Sequence, residues 1–480
     1  MNEARDKPVY YSDLIKDNQI KTWLDNNDYI YLNGDTGTGK TTFVFTRLID
    51  YALTYTGKHI FLLSNRKLLT QQHRAALKKY GIDTMYYELN GFSINHRLSI
   101  MTYQAFFEIY IKKNDIELQL ECGVINGDDY IFILDECHYF LTDHWNNTTY
   151  KTLNTILKFS TATFFISATG NNVINYVNQV SDKKITPENT IPIPQNYSNI
   201  TLKSIKDNTK HRREIVKLIY HILDNTSDKI MYYYNNTDVL CSIADELKIV
   251  YDPEKIKVCY SPSDEHEHTL PSEKDDALTE NNTINGRCIL TTKIIDNGID
   301  IYDDDLKHLI IDLSESETII QAIGRKRTKT PLTVYINETS KTILMRSIAK
   351  KEYKLHDSKK PLNALLKYQY NIMIQDYKTF YDNSVISVIY DKLKHTKIKL
   401  DKDDKYSILL DYLDQYAANQ KPIDKDYIKS LLADIGIKAK QINMINQSFR
   451  FNNIPYELTE KRKRINGNRN ASNIWYVSRL

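Results

Sequence analysis

The stretch "YIYLNGDTGTGKTTFVFTRLIDYAL" (29–53) decides the fold. In it Gly34, Gly39, Lys40 and Thr41 satisfy GxxxxGK[ST], and the flanks are as informative as the pattern. "YIYL" reads as a short strand, and "TTFVFTRLIDYAL" carries apolar residues at helical spacing. Strand, glycine loop and helix in that order make a cradle for a phosphate chain. The glycines, Gly37 among them, let the backbone wrap the phosphates, successive N–H groups point at the oxygens, and the helix N-terminus adds favourable dipole charge. Lys40 would reach the β- and γ-phosphates and the Thr41 hydroxyl would ligate Mg²⁺, with Thr36 and Thr42 on the same loop. The implied ligand is ATP with Mg²⁺.

A second stretch, "YIFILDECHYFL" (130–141), puts two carboxylates at the end of a continuous apolar run. Buried strands do not carry unpaired charge, so Asp135 and Glu136 should sit where the strand emerges. A solvated turn after an ordinary strand is the plain alternative. Next to a Mg²⁺-nucleotide, and by analogy with P-loop enzymes, Asp135 reads as the metal holder and Glu136 as the general base for the attacking water.

Composition bounds the rest. A chain of 480 residues is too long for one ordinary core. Hydrophobic content of 41% with 26% charged residues describes a soluble globular protein. No stretch approaches the ~20 apolar residues needed to span a bilayer, and the N-terminus is polar. The expected location is therefore cytoplasmic, in a host cell if the chain is phage-encoded, with no membrane partner. The five cysteines form no CxxC pair, which argues against a zinc module and a disulfide framework. Net charge of +3 gives no global nucleic-acid signature, so such binding must rest on local patches. One such patch is 461–480, which is basic and lacks any acidic residue. In the acidic stretch 261–282, Asp264, His266, Glu267 and His268 read as a solvated insertion rather than a metal site.

The order of the remaining motifs is more specific than any one of them. "FLLSNRKLLTQQ" (61–72), "IMTYQAFFE" (100–108), "DECH" (135–138) and "FFISATG" (164–170) come first. "KIMYYYNN" (229–236), "CILTTKIIDNGIDI" (288–301) and "QAIGRKR" (321–327) follow. This succession resembles the superfamily 2 helicases of the DExH type over roughly 15–340, and among them the phage, plasmid and viral replication helicases.

The resemblance implies two tandem RecA-like domains, each a doubly wound parallel sheet of the α/β class. It implies that Gln19 reads the adenine edge, although an exposed helix residue is the plain reading of that position. His138 would couple the nucleotide site to the second lobe through Gln321, and Ser167 and Thr169 would link ATP state to strand binding. Arg66, Thr102, Gln104 and Thr292 fall where the family grips the nucleic-acid backbone, and Gly298 and Asp300 where it faces the nucleotide. The family pattern QxxGRxxR has arginines three apart on one helical face. Here they are Arg325 and Arg327, so both reach a γ-phosphate only if the helix begins or distorts there. Arg325 is the first candidate for the finger that stabilises transferring charge and Arg327 the second. The plain reading of Arg327, with Lys326 and Lys329, is a basic surface stripe.

The expected plan is an ATP-binding domain at 1–185, a proline-bearing linker at 186–199, a second domain at 200–342, a helical region at 343–420 and a final module at 421–480. In that module "DKDYIKSLLADIGI" places Ile428, Leu431, Leu432 and Ile435 on one helical face, Gly436 breaks it, and Ile442, Ile445 and Phe449 repeat the pattern. Asn466 and Gly467 then mark a hairpin turn between basic flanks. The whole resembles a winged helix. Its phosphate contacts would be Lys461, Arg462, Lys463, Arg464 and Arg469, and its groove contacts Gln441, Asn443, Asn446, Gln447 or Arg450. A protein-interaction role is the alternative, and Ile442, Phe449 and Trp475 read as core.

Three functions remain open at this level. One is an ATP-dependent DNA helicase in replication of a phage or mobile element, with single-stranded and duplex DNA and replication proteins as partners. Another is a nucleic-acid-stimulated remodeller or RNA helicase. The last is an origin-binding protein with a nucleotide switch. The intact set Lys40, Asp135, Glu136 and Arg325 favours turnover, and no nuclease constellation is evident.

Overall fold

The structure is a computed structural model. It describes residues 9–34, 37–65, 67–82, 85–87, 92–95, 97–142, 147–193, 197–206, 211–261, 270–273, 276–293, 300–357, 362–393, 399–400, 402–435, 437, 441–451, 454–464 and 471–480. Contacts divide the chain into two units, Met1–Asn196 with Asp296–Asp300 and Ile348–Gln375, and Tyr197–Ile295 with Ile301–Ser347 and Asp376–Leu480.

The first unit is built on eight strands: β1 (Tyr29–Gly34), β2 (His59–Ser64), β3 (Met85–Tyr87), β4 (Phe92–Asn95), β5 (Leu98–Thr102), β6 (Tyr130–Asp135), β7 (Thr163–Ser167) and β8 (Thr190–Ile193). Their order is β3-β4-β5-β2-β6-β7-β1-β8. The strands from β5 to β8 in that order pair in parallel, while β3, β4 and β5 form antiparallel pairs at one edge. Parallel strands need crossovers, and the helices of those crossovers cover both faces, so the central strands are apolar at every position rather than alternately. β1 shows the consequence. Ile30 and Leu32 enter one buried cluster with Trp23, Phe43 and Leu48, while Tyr29 and Tyr31 enter the other with Phe61, Phe132 and Phe165.

The second unit repeats the architecture with seven parallel strands: β9 (Ile200–Lys206), β10 (Lys229–Tyr234), β11 (Ile256–Cys259), β12 (Cys288–Thr291), β13 (Leu306–Asp312), β14 (Leu332–Glu338) and β15 (Lys399–Leu400). The order is β11-β12-β10-β13-β14-β9-β15. After it come three helices, Lys402–Asn419, Lys425–Asp434 and Ile442–Phe451, and an antiparallel hairpin of β16 (Tyr456–Arg464) and β17 (Ala471–Arg479). Two parallel-sheet α/β units are what the motif order implies. Among the described residues no helix is long and apolar enough to cross a membrane.

The expected plan is redrawn in three places. The stretch 186–199, read as a linker, contains the edge strand β8, in which Pro192 pairs opposite Asn33. Proline lacks the N–H that a second neighbour would need, so an edge is where a strand tolerates it. The helical block 343–420 is shared between the units. Leu365, Tyr368 and Ile372 of the helix Ala364–Asp382 pack on the β1, β6 and β7 side of the first core. The same block also yields β15, which pairs with β9.

Ile133 lies fully buried on β6, two residues before the strand ends at Asp135. Ile133→Ala should lower the stability of the first unit by about 2–5 kcal/mol, because the surrounding sheet cannot collapse into the void. Urea unfolding followed by tyrosine fluorescence checks this.

Candidate functional site

The phosphate loop begins where β1 stops. Gly34 ends that strand in a space with no room for a side chain, since a Cβ there would stand 2.5 Å from Tyr11 Oη and 2.6 Å from Thr38 Oγ1. Gly37 and Gly39 have φ of +84° and +79°, left-handed values that favour glycine. The helix Lys40–Phe43 continues through a π-helical turn, Val44–Ile49, into Asp50–Tyr55, so Lys40 opens a helical run of several turns. Lys40 Nζ donates to the Gly34 carbonyl, which folds the ammonium back over the loop, and Thr41 and Thr42 are exposed beside it. Thr36 lies outside the described residues. Gln19 is half-buried on the helix Asp17–Asp25, which Arg47 of the phosphate-loop helix holds through Asp17 at 2.5 Å.

The carboxylates emerge at the same edge of the sheet, two strands away. Asp135 ends β6 and Glu136 turns the chain with φ of +53°, a left-handed conformation that costs a non-glycine residue of order ~1–3 kcal/mol. Several bonds hold that turn. Glu136 N donates to Asp135 Oδ1 at 3.1 Å, and Cys137 N donates to the Ile166 carbonyl at 3.0 Å, stitching the turn to β7. His138, 2% exposed, places Nδ1 2.9 Å from Ser167 Oγ and 3.3 Å from Glu136 Oε2. Ser167 Oγ in turn accepts from Thr169 N at 3.0 Å, and Tyr31 Oη of β1 accepts from Gly170 N at 3.0 Å. The DECH turn, the SAT segment and the phosphate-loop strand are therefore one hydrogen-bonded assembly. Tyr103 Oη supports it from below, donating to the Asp135 carbonyl at 2.8 Å. Burial, and then the fields of Cys137, Asp135 and Glu136, push that phenol well above its ordinary range and keep it a donor.

Thr41 and Asp135 offer a hydroxyl and a carboxylate, the hard oxygen donors that Mg²⁺ takes while keeping waters of its own. Among the described residues no cluster of three or more His, Cys, Asp and Glu side chains could hold a different ion.

Two residues at this edge carry no motif signal. Tyr10 lays its ring against Gly39, 3.1 Å from where a Cβ would stand. His73, 3% exposed on the helix Lys67–Lys79, places Nε2 2.9 Å from Asp135 Oδ2. A histidine in the apolar face Thr70, His73, Leu77 reads from sequence as core, and only the tertiary fold brings it to Asp135.

Of the residues assigned to strand contact, Thr102 caps the helix Tyr103–Phe106 by accepting from Ala105 N at 3.1 Å and is 7% exposed, with its own O–H left to donate. Gln104 is half-buried, and Arg66 lies outside the described residues. Thr292 and Asp300 are half-buried, and Gly298 lies outside the described residues.

The arginine spacing has a structural answer. The helix Ser316–Gly324, which carries half-buried Gln321, ends before Arg325. Lys326 then forms an isolated parallel bridge with Ile301, with Ile301 N donating to the Arg325 carbonyl and Arg327 N to the Ile301 carbonyl, both at 2.9 Å. Arg325 still has helical backbone, with φ of −73° and ψ of −29°, and the chain leaves the helix at Lys326, so the helical period does not run on to Arg327. Lys326 is no part of a surface stripe. It is 6% exposed, its Nζ donates to Thr328 Oγ1 at 2.7 Å and to Thr330 Oγ1 at 2.5 Å, and burial pulls it down to about 8. Arg325 is buried and Arg327 half-buried.

In the C-terminal module Ile428, Leu431, Leu432, Ile445, Phe449 and Trp475 form the buried side, while Gln441, Asn443, Gln447 and Arg450 are exposed. Asn446 is committed elsewhere, bonding both the N–H and the carbonyl of Leu458 and so fixing its helix to β16. Arg450 pairs with Glu457 at 3.1 Å. Lys461 is exposed, with Nζ 5.2 Å from the Tyr476 ring centre. The side chains of Arg462, Lys463 and Arg464, and all of Arg469, lie outside the described residues.

Residues 7–166, about a third of the chain, match the family described as type III restriction enzyme, res subunit. No curated protein sequence matches the chain. Among solved structures, S. cerevisiae Dbp5 bound to RNA and ADP BeF3 aligns at 16% identity over 73% of this chain and 89% of that one, with a TM-score of 0.45. The DUF1998 helicase MrfA bound to DNA aligns at 14% identity over 76% of this chain and 54% of that one, with a TM-score of 0.47. The chain thus joins a phosphate loop to two doubly wound α/β sheets, and its first domain is similar to that restriction-enzyme family.

Gly34→Ala tests the phosphate loop without touching a charge. The added methyl must displace Tyr11 or Thr38, so the affinity for a fluorescent ADP should fall by at least about tenfold, while the far-ultraviolet circular dichroism stays unchanged.

Proposed function

We propose that the protein is an ATP-dependent DNA helicase or translocase that converts ATP hydrolysis into movement along nucleic acid. The observation that carries this reading is the joined assembly at one sheet edge: phosphate loop, Asp135–Glu136 turn and Ser167–Thr169 segment, with His138 bonded to Ser167 and beside Glu136. In this reading Lys40 binds the β- and γ-phosphates and Glu136 takes the proton of the attacking water. Bound Mg²⁺, held by Thr41 and Asp135, supplies charge neutralisation at those phosphates. His138 and Ser167 pass the state of that site to the segment that follows β7. Arg325, with Arg327 beside it, stabilises charge on the transferring phosphoryl group. Thr102, Gln104, Arg66 and Thr292 grip the tracked strand.

The C-terminal module is read as a winged helix that contacts duplex DNA. Supporting this are the order of three helices and a hairpin, and the isolated bridge in which Ile423 N donates to the Trp475 carbonyl at 2.9 Å, tying the segment before the second helix to β17. Exposed Asn443 and Gln447 on the third helix, with Gln441 just before it, suit groove edges, and Lys461 on the wing suits phosphate. Replication of a phage or mobile element is the setting that the motif order resembles.

ATPase activity should rise at least about tenfold with single-stranded DNA and be lost in Lys40→Ala and Glu136→Gln. Equal turnover with and without nucleic acid would contradict the motor reading. Lys461→Ala should weaken duplex binding at every sequence and reduce the slope of log affinity against log salt by about one, measured by fluorescence anisotropy between low and moderate salt. An unchanged slope would reassign the module to a protein partner.

A further inference from the structure

We propose that His73 is a positioning residue for the metal-holding carboxylate, a role that rests on the reading of Asp135 as the Mg²⁺ residue. His73 sits in the middle of the helix Lys67–Lys79, with Thr70 and Leu77 of the same face fully buried. That face packs into the apolar cluster of β2, β5 and β6, where a leucine would serve packing alone. The ring is held from two sides. Phe45, in the π-helical turn behind the phosphate loop, meets it edge-on with centroids 5.5 Å apart and planes at 78°. On the other side Nε2 donates to Asp135 Oδ2 at 2.9 Å. His73 Nδ1 has no hydrogen-bond partner among the described residues, so the ring makes one polar contact, and that contact is the carboxylate.

The effect on Asp135 follows from counting lone pairs. Oδ2 accepts from His73 and Oδ1 accepts from Glu136 N, one bond to each oxygen. Two bonds on two different oxygens fix both the rotamer and the plane of the carboxylate. Each oxygen keeps a second acceptor site, and the group is 13% exposed, so those sites are what it presents to a metal or the metal's waters. A metal-ligating carboxylate held by an outer hydrogen bond loses less freedom on binding, and removing such partners elsewhere costs about 10–100-fold in metal affinity. His73 also spans from the phosphate-loop helix to β6, so it keeps the carboxylate in register with the loop that holds the phosphates.

The test reads metal dependence rather than turnover. Fluorescent ADP is titrated into the full chain and its His73→Leu, His73→Gln and His73→Asn variants, in EDTA and across a Mg²⁺ series, with thermal unfolding recorded for each. Glutamine can place an N–H near the Nε2 position, whereas asparagine reaches only the Nδ1 position. His73→Leu and His73→Asn should raise the Mg²⁺ concentration for half-maximal tightening by about tenfold with ADP affinity in EDTA unchanged, and His73→Gln should restore it. If His73→Leu fails to fold, the contrast between glutamine and asparagine decides. Wild-type Mg²⁺ dependence in His73→Asn overturns the proposal. Asp135→Asn separates the two levels: if it too leaves the Mg²⁺ dependence unchanged, the metal reading of Asp135 fails, and if it alone shifts the dependence, His73 has no positioning role.

Discussion

The constraint on which the first unit depends is that β1, β6 and β7 run parallel and end together. A parallel sheet places every strand's carboxyl end on one edge, so residues from three distant stretches arrive side by side without any loop reaching across. The bond from Cys137 N to the Ile166 carbonyl makes this arrival firm, because it joins the turn after β6 to β7 just before Ser167. That bond requires the chain to reverse at Glu136, and the left-handed conformation there is the local cost of turning so sharply. The strain is offset by the bonds around it, and its effect is to place Glu136 beside His138 instead of further along the strand direction.

Much of this edge is legible in the sequence, for identifiable reasons. Close packing demands glycine at 34 and left-handed backbone favours it at 37 and 39, and a strand that ends in charge announces where it leaves the core, so the phosphate loop and Asp135–Glu136 can be read without coordinates. Ser167 and Thr169 are legible because they follow an apolar run of the same kind. His73 and Tyr10 are not, because each reaches the site through a tertiary contact with a residue tens of positions away and carries no spacing of its own. The same limit hides the role of Asn446, which looks like any exposed amide on a helix until β16 lies against it.

The arginine segment shows a different failure. Counting by a helical period carries the helix on through Arg327, yet the helix is capped at Arg325 and the chain leaves it at Lys326. What ends the helix is the competing pairing of Lys326 with Ile301, reinforced by the two threonine hydroxyls that take up the buried ammonium. Pairing between segments 25 positions apart is invisible to local periodicity, as is the short strand β15 that completes the second sheet from within a helical region.

The claim at the centre of this account is that the shared carboxyl edge of β1, β6 and β7 is a magnesium-nucleotide site. A crystal structure of the protein with ADP, beryllium fluoride and Mg²⁺ tests it most directly. The account predicts phosphates enclosed by residues 34–41, with Lys40 released from the Gly34 carbonyl onto the beryllium fluoride and the metal's oxygen shell touching Thr41 and Asp135. Nucleotide bound away from that edge, or metal held by neither residue, would contradict it.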